Sequence, residues 1–370
     1  MKKICFVSIM LLLVTTTLHA KPYKVAMFYP REAPFWTIFT DFMHEAANDL
    51  EIEFQMHVAE DNQYLMQRQL TRVVVGPNKV DAVVFNNFRQ MAPNLIKIAE
   101  DAKVISFLVN SALSEDDAIV MGVPREKYKY WIGEMLPDEE GAGIAITNHL
   151  IDAAISKKQI HKDGKVHVVG INGPVAAGSA VMRRNTLNKT VANRSDAKLI
   201  QVVHSEQWSK LDAKMKFINL KSRYPDVFVF WAGSARLADG IIEGAHQLNL
   251  TPGKDFVTGG VGIKETMLKR VQSGEVLVAS GGHFIEGAWV MVILYDYFHG
   301  IDFAQSGGSQ LRSPMVIVTK DNVDYYLNNL SKEKLSKESI KKVDFTQYSM
   351  KLNPKLKGYR FDLNSVLSQL

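Results

Sequence analysis

Tyr23–Pro30 (YKVAMFYP) and Ala33–Trp36 (APFW) carry the first decision about this chain. The first run reads as a buried strand, and the second as a turn that opens a helix. Lys24–Tyr29, Glu53–Val58, Ala82–Phe85 and Val104–Val109 read as strands, with helical patterns at 36–50, 63–75 and 90–101 between them. Such alternation predicts a parallel sheet with helices on both faces. Around Gly122–Asp138 the rhythm breaks, in a stretch with prolines, clustered aromatics and an acidic turn. A second series follows, with strands near Val166–Gly170, Leu199–Val203, Val227–Trp231, Phe256–Gly259 and Leu277–Ala279. Its helices fall at 141–156, 179–192, 208–223, 236–248 and 264–272.

The stretch before the first strand reads as an export leader. Residues 1–20 carry Lys2 and Lys3, an apolar run from Ile4 to Val14, and Ala20 at the expected cut. The single cysteine, Cys5, lies inside it, so the mature chain would hold no disulfide. With 46% hydrophobic and 22% charged residues, the composition is that of an ordinary globular protein. Removing 20 residues from 370 leaves 350, which suits two lobes better than one core. The net charge of +5 is thinly spread with no basic stripe, which excludes nucleic acid as the expected partner. No later apolar run is long enough to span a bilayer, and Phe284–Phe298 reads as a buried packing helix. Residues 321–370 read as a lysine-rich tail draped on the lobes, with SKEKLSKESIKK as a solvated face.

Enzyme signatures fail one by one. Gly173–Ser179 (GPVAAGS) lacks the lysine of a phosphate loop, and GGVGIKE at 259–265 is no dinucleotide fingerprint. Neither Ser179 nor Ser234 sits in a nucleophile elbow, and the pairs Asp116/Asp117 and Glu139/Glu140 read as solvated turns. The ten histidines show no ligand spacing, so neither metal nor cofactor is expected. Two doubly wound lobes do create a cleft beyond the carboxyl ends of their strands. Arg31, Phe35, Trp36, Asp61, Asn62, Asn86, Asn87, Asn110, Asn172, Ser234, Arg236 and His283 fall just after strands. This amide-rich set with aromatics suits hydroxyl groups and a sugar-like ring.

The ordered set YPREAPFW, AEDN, VHVVGINGP…R, SRYPDVFVFWAG and IKETMLKRVQSGEVLVAS resembles the type I periplasmic binding proteins of the ribose/galactose group over residues 23–320. Within that group the YP-x(5)-W opening, a VGVP-like fifth strand and MVIVTKDNVDYYLNNL are most similar to the LuxP-type autoinducer-2 receptors. The resemblance implies two Rossmann-like α/β lobes joined by a three-crossing hinge near 131–138, 280–284 and 306–312. One lobe would hold 22–133 plus 284–306, and the other 134–280 plus 311–320.

It also implies a monomeric, non-enzymatic periplasmic protein that closes on a small polar ligand. The protein would serve an inner-membrane permease or a sensor. Two other readings stand beside it, a ligand-less interaction module and an exported enzyme. Trp36 falls where the family stacks a ring on its ligand, and Asn110 where an amide follows the fourth strand. Arg183, or Arg184 in a shifted register, falls where a basic residue reaches in from the second lobe. Arg183→Ala is therefore expected to weaken binding and leave unliganded stability nearly unchanged. Three positions depart from the pattern: Ala235 replaces an aspartate, Gly281 an arginine or glutamine, and Val261 a tryptophan. Arg236 and His283 could compensate, which would favour an anionic ligand.

Overall fold

The computed structural model describes residues 21–175 and 177–370. The leader expected at 1–20 lies outside the described residues. Two six-stranded sheets share one design. The first contains β1 (Lys24–Tyr29), β2 (Glu53–Val58), β3 (Ala82–Asn86), β4 (Ile105–Val109), β5 (Trp131–Pro137) and β11 (Gln310–Ser313), in the order β11-β5-β4-β3-β1-β2. The second contains β6 (Val166–Asn172), β7 (Ala197–His204), β8 (Val229–Ala232), β9 (Val257–Val261), β10 (Val278–Gly281) and β12 (Val316–Val318), in the order β12-β10-β9-β8-β6-β7. All pairings are parallel except β10 with β12. The expected α/β fold with two lobes is therefore what the chain adopts.

Helices cover both faces of each sheet. In the first lobe these are α1 (Pro34–Asp49), α2 (Gln63–Val73), α3 (Ala92–Asp101) and the short α4 (Glu115–Met121). The second lobe carries α5 (Glu139–Ser156), α6 (Gly178–Ala192), α7 (Lys210–Arg223), α8 (Ala235–Gln247) and α9 (Glu265–Ser273). The chain then returns through α10 (Glu286–Phe298), which packs against α1 under the first sheet. Phe39, Phe42 and Trp289 are sealed there, each worth about 1.5–3 kcal/mol for full burial. Hydrophobic strands buried on both faces leave no room for alternation, and β1 and β3 read accordingly as apolar runs.

The expected lobe borders shift. Trp131–Pro137 pairs with β4 and β11 in the first sheet, so a border after residue 133 would cut a strand. The chain crosses at Asp138 instead. Leu311–Ser313 also belongs to the first sheet, and the third crossing lies between β11 and β12. The VGVP-like stretch is no fifth strand: Gly122–Pro124 is a turn after α4, and the fifth strand is Trp131–Pro137.

After the short α11 (Ala304–Gly307) and β12, the tail runs over both lobes. Helix α12 (Val323–Asn329) packs on α9 of the second lobe. Helix α13 (Lys337–Ile340) and the turn Phe345–Tyr348 pack on α1 of the first, and α14 (Leu363–Leu367) places Leu363 against Gly282 between the lobes. Within the run expected to be solvated, Ser339 and Ile340 are buried. Asp296 on α10 anchors the tail. It accepts from Ser349 Oγ, from the backbone N–H of Met350 and Lys351, and from Tyr359 Oη. Among the described residues no helix is long and apolar enough to cross a membrane.

Candidate functional site

Strand ends in both sheets deliver their following loops to the gap between the lobes. Four side chains form a continuous ribbon across it. Phe35, in the first turn of α1, is half-buried, with its ring 4.9 Å from that of His283. His283 follows β10 and lies close enough to Arg183 to sense its charge. The Arg183 guanidinium stands 5.7 Å over the ring of Trp208, which follows β7. Trp208 holds a left-handed backbone with φ 53°. Its indole lies where a side chain at Gly173 would be, since a Cβ there would sit 2.3 Å from the ring.

Arg183 is 7% exposed and already engaged. Its Nε donates to Glu139 Oε2 at 2.6 Å, its Nη2 donates to Oε1, and its Nη1 donates to the Gly233 carbonyl at 2.8 Å. A guanidinium has five N–H donors, so two remain for a ligand. The pair with Glu139 holds the head rigidly and cancels its charge. Glu139 is 1% exposed, which corrects the reading of Glu139/Glu140 as a solvated turn. Sequence reading of Glu139 missed it because its partner lies 44 positions away.

His283 is held neutral. Burial, and then the charge of Arg183, push its pKa down to about 3, and its buried Nδ1 has no hydrogen-bond partner among the described residues. With Arg183 compensated and His283 neutral, neither of these two side chains supplies a free positive charge to the cleft. A neutral His283 does not supply the charge that the expectation of an anionic ligand assigned to it. The unfolded imidazole takes a proton near pH 6.5, whereas the folded one does not until about pH 3. His283 therefore contributes full stability above pH 6.5 and loses it progressively as pH falls. Glu286 opposes it, because burial raises its carboxyl well above the usual range and the folded state favours the protonated form. The expected result is that His283→Gln flattens the acid side of the melting-temperature profile between pH 7 and 4. Glu286→Gln should steepen it. Thermal denaturation at stepped pH checks both.

The remaining expected residues divide. Trp36 is 8% exposed and packs against Tyr29 and Phe39, so Phe35 is the ring facing the second lobe. Arg31 pairs with Asp61 at 2.7 Å on the half-exposed rim. The Asn62 Oδ1 caps α2, accepting from the N–H of Tyr64 and Leu65. Asn87 is also structural, bonding Ala112 O and Ala92 N. Asn110 is half-buried at φ 64°, a conformation asparagine tolerates, with its N–H on Met135 O. Ser234 caps α8 through the Leu237 N–H. Arg236 does not face the cleft: it lines a hollow on the second lobe with Lys210, Asp239 and Lys264. Asn172 Oδ1, at the end of β6, is buried without a partner among the described residues, while its Nδ2 donates to Ala180 O.

Arg184, the other register, faces a cavity of about 240 Å³ between the lobes, with Asn87, Gln90 and Ser114 on the opposite wall. The lobes touch beside it. Asn185 Nδ2 donates to Glu115 Oε1 at 3.0 Å, and a Cβ on Gly178 would lie 2.8 Å from the Ala112 carbonyl. Only glycine permits that approach. At the hinge, Glu286 is hydrogen-bonded to Ser313 and lies near enough to Glu139 to feel its charge. One residue from each of the three crossings thus meets there.

The model of a family described as periplasmic binding protein domain matches residues 25–301. Among solved structures, a periplasmic sugar-binding protein from Pseudomonas fluorescens is 25% identical, with a TM-score of 0.79 over 93% of this chain and 99% of that one. The arabinose transporter binding protein from Shewanella, bound to arabinofuranose, is 17% identical at a TM-score of 0.69, covering 85% of this chain and 98% of its own. A solute-binding protein from Bacillus halodurans with myo-inositol is 15% identical at 0.68, covering 83% and 97%. No curated protein sequence matches the chain.

Proposed function

We infer, because this chain belongs to the periplasmic binding protein domain family, that it closes its lobes over one small, neutral, polyhydroxylated ligand of the sugar class. The observation that carries the reading is the ribbon Phe35–His283–Arg183–Trp208. It offers two aromatic faces for the apolar side of a ring and fixed polar groups for its hydroxyls. Charge compensation at Arg183 leaves hydroxyl recognition favoured over phosphate or carboxylate recognition. The fold likeness to structures that hold arabinofuranose and myo-inositol supports the same class. Delivery to an ABC permease is the role that this family and those neighbours support, in the periplasm that the family name implies. A binding role requires no catalytic group.

The narrower likeness to autoinducer-2 receptors finds little support at the departures. Gly281 is buried, and a Cβ there would meet Ile263 at 3.0 Å, so the space for an arginine is filled. Val261 is 4% exposed at the end of β9. The test is a thermal-shift and calorimetric screen of pentofuranoses, hexoses and inositols against the mature protein. A tight ligand should appear among them. Phe35→Ala and Trp208→Ala should each weaken its binding by about 1–3 kcal/mol, the combined worth of burial and stacking. A screen in which only anionic compounds bind, or two variants that bind like wild type, would overturn the reading.

A further inference from the structure

The second lobe carries a cluster that the cleft does not use. His161, Asp163 and His167 lie in the sequence HKDGKVH, where a tight turn runs into β6. The turn is closed by His161 N–H on Lys165 O and by Gly164 N–H on His161 O, both at 2.9 Å. Gly164 supplies the φ of 77° that the turn needs. This geometry folds Asp163 back towards both imidazoles. Nε2 of His167 is 2.9 Å from Asp163 Oδ2, and Nδ1 of His161 is 3.6 Å from Asp163 Oδ1. The two rings stack with centroids 4.0 Å apart. Nδ1 of His161 is buried and has no hydrogen-bond partner among the described residues.

We propose that His161, Asp163 and His167 bind a late first-row divalent cation such as Zn²⁺, as a clip fastening the 161–165 turn to β6. Zn²⁺ holds nitrogen and oxygen ligands about 2.0–2.2 Å away in a tetrahedron, which separates neighbouring ligand atoms by about 3.4 Å. The separations of 2.9 Å to Oδ2 and 3.6 Å to Oδ1 lie near that value, and one ligand atom from each residue lies within 4.8 Å of the others. Two imidazoles and one carboxylate favour zinc, copper or nickel over calcium or magnesium, which prefer all-oxygen sites. The exposed side of the cluster leaves the fourth position to water. Three groups compete for the carboxylate: Lys198, across the strand pair from His167, has its Nζ 3.8 Å from Asp163 Oδ2, the Lys165 N–H donates to Oδ1 at 3.2 Å, and the hydrogen bond between His167 Nε2 and Oδ2 would give way to the metal. The Lys198 side chain is more than half exposed and free to swing away.

The site is independent of the sugar-binding reading. His167 is five residues from Asn172 at the cleft end of β6, about 16 Å along the strand. Read as sequence, H-x-D-x(3)-H shows no familiar ligand spacing, because the turn, not a helix, brings its members together.

The experiment is calorimetric titration of the tag-free mature chain with ZnCl₂, and separately with MgCl₂. One Zn²⁺ should bind per chain and Mg²⁺ should not. His167→Gln should weaken Zn²⁺ binding by more than about 100-fold, since losing even an outer partner of a ligand costs about 10–100-fold. Lys198→Met, which removes the competing ammonium, should tighten it. Asp163→Asn provides a second ligand variant, and Co²⁺ absorption in the visible reports whether imidazole nitrogen enters the coordination sphere. Zn²⁺ binding that is absent, or that survives unchanged in both His167→Gln and Asp163→Asn, overturns the proposal whatever the outcome of the sugar screen.

Discussion

Arg183→Ala is expected to destabilise the ligand-free protein by about 3–5 kcal/mol, the cost of stranding one member of a buried ion pair. Glu139 is 1% exposed, and both its oxygens accept from the guanidinium. Alanine would leave that carboxylate uncompensated, with the buried Glu286 beside it. The carbonyl of Gly233 would also lose its donor. This replaces the expectation drawn from sequence, in which the variant spared unliganded stability. Urea unfolding of Arg183→Ala, Glu139→Gln and the double variant separates the possibilities. The double variant should recover part of the loss, because it removes the stranded charge. Strictly additive losses would show that the pair is not coupled as drawn.

A second large effect is expected at Asp296. Its carboxylate gathers four donors from the tail, and Asp296 itself is fully buried. Leaving buried donors unsatisfied costs about 1–3 kcal/mol each, discounted where the tail swings out to water. Asp296→Ala should therefore lose about 3 kcal/mol or more, and protease should nick the chain near 345–360 while the two lobes stay intact. Asp296→Asn, which keeps one acceptor, should fall between. Limited proteolysis with mass spectrometry reads the difference, and a variant as resistant as wild type would remove Asp296 from its anchoring role.

Elements with local signals were legible in the sequence. Lys24–Tyr29 and Glu53–Val58 have the bounds read from the sequence, though only the first is an apolar, buried run. Trp131–Pro137 was hidden because Glu134, Gly133 and Pro137 make it look irregular. Its polar member is satisfied from afar: Gln310 and Arg312 on β11 both donate to Glu134 at 3.2 Å. The site shows the same division. Strand-end positions pointed to Phe35 and His283, since a doubly wound lobe puts such residues at the cleft, whereas Arg183, inside α6, was pointed to only by the family resemblance. Position alone could not tell Phe35 from Trp36, because which neighbouring ring turns inward depends on packing against Tyr29 and Phe39. Trp208 went unnoticed, as its place rests on a left-handed backbone and on the missing side chain of Gly173.

The way the chain's two ends meet in the first lobe dictates when that lobe can finish folding. Tyr23 Oη reaches the carbonyl of Phe298, 275 positions away, and Asp49 accepts from the N–H of Phe345, 296 positions away. The edge strand β11 reaches back 176 positions to pair at Glu134. Closing loops of that length precedes the reward of the contacts, which slows folding. During synthesis, the strands made first must wait with α1 unburied until α10 and the tail are complete. The second lobe takes from the end of the chain its edge strand β12, the cover over α9 and the Leu363 contact at Gly282. A chain threaded N-terminus first through a membrane would thus remain unable to lock its leading lobe until nearly its last residue had emerged.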